Sequence, residues 1–290
     1  MKCRILSLML SMAAGAAAMP DISVHQEGSS DMVMSIDDSG NLYELTNDGW
    51  MKLGKPCPGR APFRLQLLRS EGMDEVVFIF VFDSGGNLLQ TDGADWTVIR
   101  SAEEAYTEPC LGSIFEFSED TLSTMVLDGS GVIYLHSTGE TYITPFDTFP
   151  HLPVRDIDVY YHGESGMLVP MLLGPDGRFY LYIDGEWQAA DKPESHMDIR
   201  NMAASVSVDT GVISLIGVDG AGNLYHNDHT GDFVRLDHPP CPGEGPWKLA
   251  AVYLAEDDMS VMCLDPRGAL HLSVYGEWTR LAGGFAPEAD

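Results

Sequence analysis

The chain has 290 residues, a length that suits one or two domains. Its formal charge is −28, from 44 acidic residues against 16 lysines and arginines. Nucleic acids and anionic membranes are bound through basic surfaces, so this balance argues against both kinds of partner. The charge suits a soluble extracellular protein, or one that attracts cations or a basic partner.

The first 18 residues have the pattern of a secretory signal peptide. Lys2 and Arg4 precede a run over residues 5–18 that is rich in small apolar residues and ends in three alanines. That run is too short to span a bilayer, and no later stretch approaches the roughly 20 apolar residues that a spanning helix needs. We therefore predict a signal peptide over residues 1–18, secretion without membrane insertion, and one domain over residues 19–290.

The rest of the sequence repeats at an interval of 45 or 46 residues. Six glycines mark the repeat: Gly40, Gly86, Gly131, Gly177, Gly222 and Gly268. A large apolar residue follows each glycine by two positions, an aromatic residue follows by ten or eleven, and an aspartate precedes five of the six by three. Such a period with strand-like content is typical of a propeller array. The sequence predicts an all-β fold, a six-bladed β-propeller.

The second repeat shows the strands of one blade. Strands are predicted at residues 63–68, 76–82, 87–91 and 96–100, with a tight turn of Asp and Gly residues at 83–86. The same four antiparallel strands can be laid down six times, which predicts blades that are each contiguous in sequence. The ring would then close by side-chain packing between blades one and six, with a disulfide as a further option.

Four cysteines follow the predicted signal peptide: Cys57, Cys110, Cys241 and Cys263. None has CxxC spacing, so a zinc site is not expected. In an oxidising compartment this even number of cysteines can form two disulfides, with three connectivities open, so all four are disulfide candidates. Three of the four lie in similar Pro-Cys segments, which we place in the loops that join blades.

Two recurring residue types allow both a structural and a binding interpretation. The aspartates could form a ring of carboxylates for calcium, but each stands where a hairpin needs a turn former, and the dense ligand run of a calcium loop is missing. The aromatic series fits a wedge between neighbouring blades, with edges that could stack on sugars. The sequence holds no nucleophile, metallohydrolase or phosphate-loop motif. We expect no catalytic residue, no metal and no cofactor.

Basic residues recur near the start of the innermost strand. Arg64, Arg155 and Arg200 each lie 22 residues before the glycine of their blade, and Lys248 has a similar place in blade six. Innermost strands line the channel of a propeller, so these side chains could converge at its mouth and bind a carboxylate or sulfate. Alternatively, each arginine pairs with an aspartate of its own or the next blade. All four are ligand-binding candidates.

Blade six shows the order of strands and turns within one repeat most completely. An inner strand at 248–252 is followed by a strand at 260–264, an Asp-x-x-Gly turn at 265–268 and an outer Trp-x-x-Leu strand at 278–281. This resembles the six-bladed fucose-specific lectins of fungi, and more loosely the tectonin propellers. The resemblance implies a sugar held between adjacent blades by an arginine eight residues before the glycine and a glutamate four residues after it.

The chain matches that lectin pattern only in part. No blade has the arginine, and Glu44 alone supplies the glutamate, while Gln90 occupies the same position in blade two. Glu44, Gln90 and the neighbouring Tyr43 complete the set of ligand-binding candidates.

Three functions remain open at this point. The first is a secreted, non-catalytic, lectin-like propeller whose partner is a glycan or another small extracellular ligand. The second is a glycoside hydrolase or lactonase at the channel mouth, which requires a pair of carboxylates about 5–10 Å apart. The third is an extracellular protein-interaction scaffold, which requires one large apolar patch.

Overall fold

The structure is a computed structural model that describes residues 21–27, 30–58, 62–69, 77–91, 95–102, 106–107, 110–118, 121–137, 144–162, 167–189, 198–206, 213–227, 233–236, 239–243, 245–255, 258–274 and 276–285. The predicted signal peptide lies outside the described residues. No membrane-spanning helix is found in the part of the chain that the structure covers.

The described residues form six antiparallel sheets of four strands, each contiguous in sequence. Blades one to three contain β1 (Asp21–Glu27), β2 (Ser30–Ile36), β3 (Leu42–Thr46), β4 (Gly49–Leu53); β5 (Pro62–Arg69), β6 (Val77–Asp83), β7 (Leu88–Thr91), β8 (Trp96–Arg100); β9 (Leu111–Ser118), β10 (Thr121–Leu127), β11 (Val132–Ser137) and β12 (Thr144–Thr148). Blades four to six contain β13 (Asp156–His162), β14 (Met167–Leu173), β15 (Phe179–Ile183), β16 (Glu186–Ala189); β17 (Ile199–Val206), β18 (Ile213–Asp219), β19 (Leu224–Asn227), β20 (Val234–Arg235); β21 (Lys248–Ala255), β22 (Asp258–Leu264), β23 (Leu270–Val274) and β24 (Glu277–Ala282). The predicted six-bladed propeller is confirmed.

The second and third strands of each blade are joined by one type of hairpin turn. In blade one, the Gly40 amide donates to the Asp37 carbonyl (3.0 Å), and Asp37 Oδ1 accepts from the amides of Ser39 and Asn41. Gly40 has φ 82°, in the left-handed region that favours glycine. The same carboxylate-to-amide bonds recur at Asp83, Asp128, Asp219 and Asp265. The recurring aspartate is therefore a turn former. Among the described residues, no group of three or more side chains could hold a metal ion.

In blades one, three and five, the chain returns after its last strand to the hairpin glycine of the blade that it has just completed. The Cys57 amide donates to the Gly40 carbonyl (2.6 Å), and the Cys241 amide donates to the Gly222 carbonyl (2.7 Å). A Cβ atom on Gly40 would lie 2.9 Å from the Cys57 carbonyl oxygen. The repeat glycine is thus fixed both by its backbone conformation and by the close approach of the interblade linker.

The described outer-strand aromatic residues pack against the preceding blade or its linker. In three blades the indole N–H donates over 2.6–2.9 Å to a backbone carbonyl of the preceding blade or linker, in the pairs Trp50–Gly268, Trp96–Lys55 and Trp278–Pro239. In blade five, Phe233 stacks on Phe179 of blade four with ring centroids 4.5 Å apart. Tyr142 lies outside the described residues. The aromatic series in the described blades belongs to the blade interfaces, as the structural interpretation predicts.

The ring closes through packing between blades six and one. The inner strands contact their neighbours all the way round, including β21 against β1. Ile22 and Val33 of blade one share an apolar cluster with Met262, Leu264 and Leu270 of blade six. Beyond β24, Phe285 stacks on Tyr43 with centroids 4.3 Å apart. Noncovalent packing therefore makes this junction.

The expected disulfides are not formed. Cys57, Cys110, Cys241 and Cys263 are all buried free thiols. Three of them do lie in linkers, but each linker packs on its own blade, which separates equivalent cysteines around the ring. Only Cys241 and Cys263 belong to one cluster, and a hydrogen bond between their thiols, together with burial, raises the pKa of Cys263. The two bridges that the cysteine count allows are not formed: Cys57 and Cys110 lie in different blade interfaces, and the neighbouring Cys241 and Cys263 are free thiols.

Candidate functional site

Strand register brings one residue from each inner strand to the same level of the ring. These residues stand opposite the fourth residue before each repeat glycine, and they are Asp21, Arg64, Leu111, Asp156, Asn201 and Lys248. Five of the six are polar, and Asp21, Asp156, Asn201 and Lys248 are buried. Buried polar groups are costly unless they are paired, so this level requires a satisfied network.

Arg64 spans the centre of the ring from blade two to blade four. Its Nη2 donates to Asp156 Oδ1 (2.9 Å) and also to the Ile157 carbonyl. Asn201 Nδ2 of blade five donates to Asp156 Oδ2 (2.6 Å). Burial opposes the charge of Arg64, but the carboxylates of Asp156, Asp158 and Asp21 outweigh it and raise the pKa of the guanidinium. Three blades are thus joined by charge-assisted hydrogen bonds across the axis.

A second ion pair completes the network on the other side. Lys248 Nζ lies 3.8 Å from Asp21 Oδ1, and both side chains are buried. Asp21 Oδ2 also accepts the Leu65 amide of the next inner strand (2.6 Å), just as Asn201 Oδ1 accepts the Leu249 amide (2.9 Å). The inner edge of each sheet has no partner strand, so these side chains satisfy backbone donors that would otherwise be orphaned.

The next level of the inner strands carries Ser23, Gln66, Ser113 and Asp158. Asp158 Oδ1 accepts from Ser113 Oγ (3.0 Å) and from the Val159 amide (2.9 Å). Burial raises the pKa of the Asp158 carboxyl, although Arg64 and these hydrogen bonds oppose the shift. Asp158 therefore gives up its proton less readily than an ordinary aspartate.

A cavity of about 160 Å³ lies on the axis at this second level. Its polar lining includes Arg64, Gln66, Asp158 and Ser23, while small and apolar residues of blades five and six form the opposite wall. The Arg64–Asp156–Asn201 network borders the cavity at the first level. This combination of a concave space and a few convergent polar groups is typical of a small-molecule site.

The structure places the other two arginines differently from Arg64. Arg155 Nη1 donates to Asp198 Oδ1 (2.5 Å) and Arg155 Nη2 to the Pro175 carbonyl (2.6 Å), while Arg200 pairs with Asp198 Oδ2. The three guanidinium groups are each engaged by protein carboxylates rather than gathered around one opening. Arg155 and Arg200 follow the second of the two arrangements expected from the sequence, because Asp198 belongs to the next blade for one and to the same blade for the other. Arg64 follows neither, because its partner Asp156 lies two blades away.

The reason for this difference is the variable length of the first hairpin in each blade. Arg64 aligns in register with Asp156 and Asn201, not with Arg155 and Arg200. The first hairpin lies between the inner strand and the repeat glycine, and its length differs between blades. Inner-strand residues at equal distances from their glycines in sequence therefore do not occupy equal positions in the ring. The sequence reasoning missed Asp21, Asp156, Asn201 and Asp158 for the same reason. Polar residues at alternate positions of strands expected at the axis, as in Asp156 and Asp158, were the available signal.

The lectin-type candidates occupy three different interfaces. Glu44 is the cross-strand partner of Met34 and Met51, and Met34 belongs to the cluster between blades one and two, so Glu44 faces blade two. Gln90 likewise shares the face of Phe80, which packs toward blade three. Both side chains are half-buried.

Tyr43 lies on the opposite face of blade one from Glu44. It is 4% exposed, stacks on Phe285, and donates its hydroxyl to Asp37 Oδ2 (3.1 Å). The structure therefore does not bring Tyr43 and Glu44 together. Tyr43 contributes to the junction of blades six and one.

The position that corresponds to the lectin arginine is buried in blades three to six and partly buried in blade one. Ser123, Ser214 and Ser260 occupy it in blades three, five and six with at most 2% exposure, and Val169 occupies it in blade four. In blade one the residue is Met32, which packs beside Trp96 of blade two. Blade one is the only described blade that combines the glutamate with this neighbouring aromatic residue at the interface.

Comparison with solved structures identifies lectins of the same fold. The SapL1 lectin, solved with α-methyl fucoside, aligns with a TM-score of 0.66 at 12% identity over 94% of this chain and 98% of its own. A lectin of Aleuria aurantia, solved with α-methyl-L-fucoside, aligns at 0.63 and 13% identity over 93% and 97%. AofleA from Arthrobotrys oligospora aligns at 0.61 and 12% identity over 93% and 88%. No family model and no curated protein matches the sequence significantly. The resemblance to six-bladed fucose lectins is confirmed at the level of fold.

Proposed function

We propose that the protein is a secreted, non-catalytic, carbohydrate-binding propeller that takes a glycan at the interface between blades one and two, a site that we call the groove. The observation that carries the proposal is Glu44, which faces this groove in a fold shared with lectins solved in complex with fucosides. The acidic chain and the predicted signal peptide at residues 1–18 support an extracellular setting.

The groove offers the two kinds of contact that sugars need. Glu44 supplies carboxylate oxygens that accept from hydroxyl groups, and such charge-assisted bonds are stronger than neutral ones. Trp96 of blade two and Met32 of blade one are partly buried and pack at the same interface, and Met51 is 45% exposed beside Glu44. They supply an apolar surface for the C–H face of a sugar ring. Methionine replaces the arginine of the lectin pattern, so we expect a ligand set different from that of the fucose-specific lectins.

The enzyme alternative finds less support at the axis. The axial carboxylates Asp21 and Asp156 are 2% and 0% exposed and are engaged by Lys248, Arg64 and Asn201. Carboxylates held in this way stabilise the blade junctions and are poorly placed to transfer protons to a substrate at a channel mouth.

The scaffold alternative requires a continuous apolar patch. The large apolar side chains that are well exposed in the described chain are spread over several blades and one linker: Met51, Val98, Ile99, Leu152, Ile183 and Val234. Single exposed apolar residues are normal on soluble proteins.

The test is a glycan array with purified protein, covering neutral, acidic and sulfated sugars, followed by calorimetric titration of the best ligand into variants. Glu44→Gln removes the charge and keeps the shape, so affinity should fall about 10- to 100-fold, as expected for a lost charge-assisted hydrogen bond. Glu186→Gln, an exposed glutamate on β16, is the matched control and should bind as the wild type does. A blank array, or equal affinity of Glu44→Gln and wild type, would refute the proposal.

A further inference from the structure

The axial cavity presents a buried donor that the described residues leave unused. Arg64 lines the cavity, and its Nε–H is buried without an acceptor among the residues that the structure describes. Its Nη2 is already engaged by Asp156 and Ile157. A buried guanidinium N–H without a partner costs free energy, and an acceptor inside the cavity would remove that cost.

The same cavity also contains acceptors. Both hydrogen bonds that described residues donate to Asp158 reach Oδ1, which leaves Oδ2 available. Ser23 Oγ accepts the Leu67 amide (3.2 Å), so its hydroxyl proton remains free to donate. Donors and acceptors therefore converge on one space from blades one, two and four.

The charges around the cavity select against ions. Arg64 and Asp158 are the charged residues in its lining, and the carboxylates of Asp21 and Asp156 and the cation Lys248 lie at the adjoining level of the inner strands. A small anion would be repelled by the carboxylates, and a small cation would be repelled by Arg64. Hydroxyl groups suit both sides, because each can accept from Arg64 while a neighbouring one donates to Asp158.

The size of the cavity sets the size of the ligand. A volume of about 160 Å³ has room for roughly five to ten water molecules, which is comparable with a ligand of about ten heavy atoms. The wall opposite Arg64 is built from small side chains, Ala203, Ala204, Ala250 and Ala251. These leave space beside the polar wall and give an apolar surface for the C–H groups of the ligand.

We propose that the axial cavity binds a small neutral polyol, of monosaccharide size or less, at a site separate from the groove between blades one and two. The site is built by Arg64, Asp158 and Ser23, with the alanines of blades five and six as its apolar wall. The proposal does not depend on Glu44 or on the glycan that the groove takes.

The test uses free glycerol, myo-inositol, D-mannose, D-glucose and L-fucose as probes, with acetate and sulfate as ionic controls. Saturation-transfer NMR detects binding, and calorimetry measures affinity, on the full mature chain. We expect at least one polyol to bind with Kd in the millimolar range, as about ten heavy atoms at modest efficiency allow, and neither ion to bind at the axis.

Two variants locate the site. Ala251→Leu narrows the cavity and should weaken polyol binding at least tenfold, and Asp158→Asn should weaken it severalfold without changing the volume. Glu44→Gln and the exposed Ala189→Leu are controls that should leave this binding unchanged. If Ala251→Leu lowers the melting temperature strongly, its binding result is set aside, and polyol binding by Asp158→Asn alone tests the axial site.

Three results would overturn the inference. One is that no polyol binds. Another is that acetate or sulfate binds at the axis in place of the polyols. The third is that polyol binding survives both axial variants and is lost in Glu44→Gln, which would assign it to the groove. If the protein binds glycans on the array but binds no free polyol, the axial proposal is refuted and the groove proposal is unaffected.

Discussion

Phe285 stands at the one blade junction that no linker crosses. Its ring centroid lies 4.3 Å from that of Tyr43 and 5.7 Å from that of Trp50, both in blade one. Its amide donates to the Arg267 carbonyl (2.9 Å), beside the hairpin glycine Gly268. After blades one, three and five, the linker residues Cys57, Phe149 and Cys241 make the equivalent return to the glycine. Phe285 therefore completes a closure that the covalent chain supplies elsewhere.

Replacing Phe285 with alanine measures the strength of that closure. Burial of phenylalanine is worth 3–5 kcal/mol in a full core, and Phe285 is half-buried, so the variant should lose about 2 kcal/mol. For a chain of this size that corresponds to a fall in Tm of roughly 3–4 °C by calorimetry. Val234→Ala is the control, because Val234 is 63% exposed on the outer strand of blade five. A Phe285→Ala variant that melts with the wild type, or no lower than the control, would show that the terminal segment does not hold the ring.

Three further predictions concern the axis, the thiols and the interface of blades two and three. Arg64→Met should lower the free energy of unfolding, measured by chemical denaturation, by about 3–5 kcal/mol, because it leaves Asp156 buried without its cation. The double variant Arg64→Met/Asp156→Asn should recover part of that loss. Equal stability of the single and double variants would contradict the pairing. A thiol-reactive reagent in denaturant should titrate all four cysteines after residue 18, and a reductant should leave Tm unchanged; fewer than four titratable thiols would contradict the free-cysteine state. Burial and the Arg100 charge lower the pKa of His136 to about 4, so between pH 6.5 and 4 the unfolded chain binds more protons than the folded chain. The free energy of unfolding should therefore fall with acidification in this range, by at most about 1.4 kcal/mol per pH unit. His136→Gln should flatten this slope, and an unchanged slope would exclude His136 as its source.

The fold was predictable because its signals are local and repeated. The predicted strands at 63–68, 76–82, 87–91 and 96–100 correspond to β5–β8 with ends that differ by at most one residue. The hairpin glycines can be recognised in the sequence, because a position with positive φ that a linker approaches closely favours glycine, as at Gly40. Each signal depends on residues within one blade, and the same signal recurs in the other blades of the repeat.

The site was less predictable because it depends on register between distant strands. Arg64 meets Asp156 across two blades, and nothing in the local pattern of either strand encodes that contact. The bulge beside Arg64 and the variable hairpin lengths shift the alignment by one to three residues, which is enough to turn a side chain to another face. The candidate Glu44 comes from a lectin pattern that counts forward from the glycine over a single short turn, where the register does not vary.

The disulfide prediction failed for a related reason. Cysteine counting gives the number of possible bridges but not the distance between side chains. Linker residues at equivalent places in the repeat lie in different blade interfaces, so repetition itself keeps Cys57, Cys110 and Cys241 apart. The same periodicity that predicts the propeller therefore argues against a disulfide between cysteines at equivalent positions of different blades.

The most direct test of carbohydrate binding by this propeller is a crystal structure of the protein with the strongest glycan from the array. The account predicts sugar density between blades one and two, with a hydroxyl group within hydrogen-bonding distance of Glu44 and the ring against Trp96 or Met32. Density for the glycan at any other blade interface, with the groove beside Glu44 empty, would contradict it.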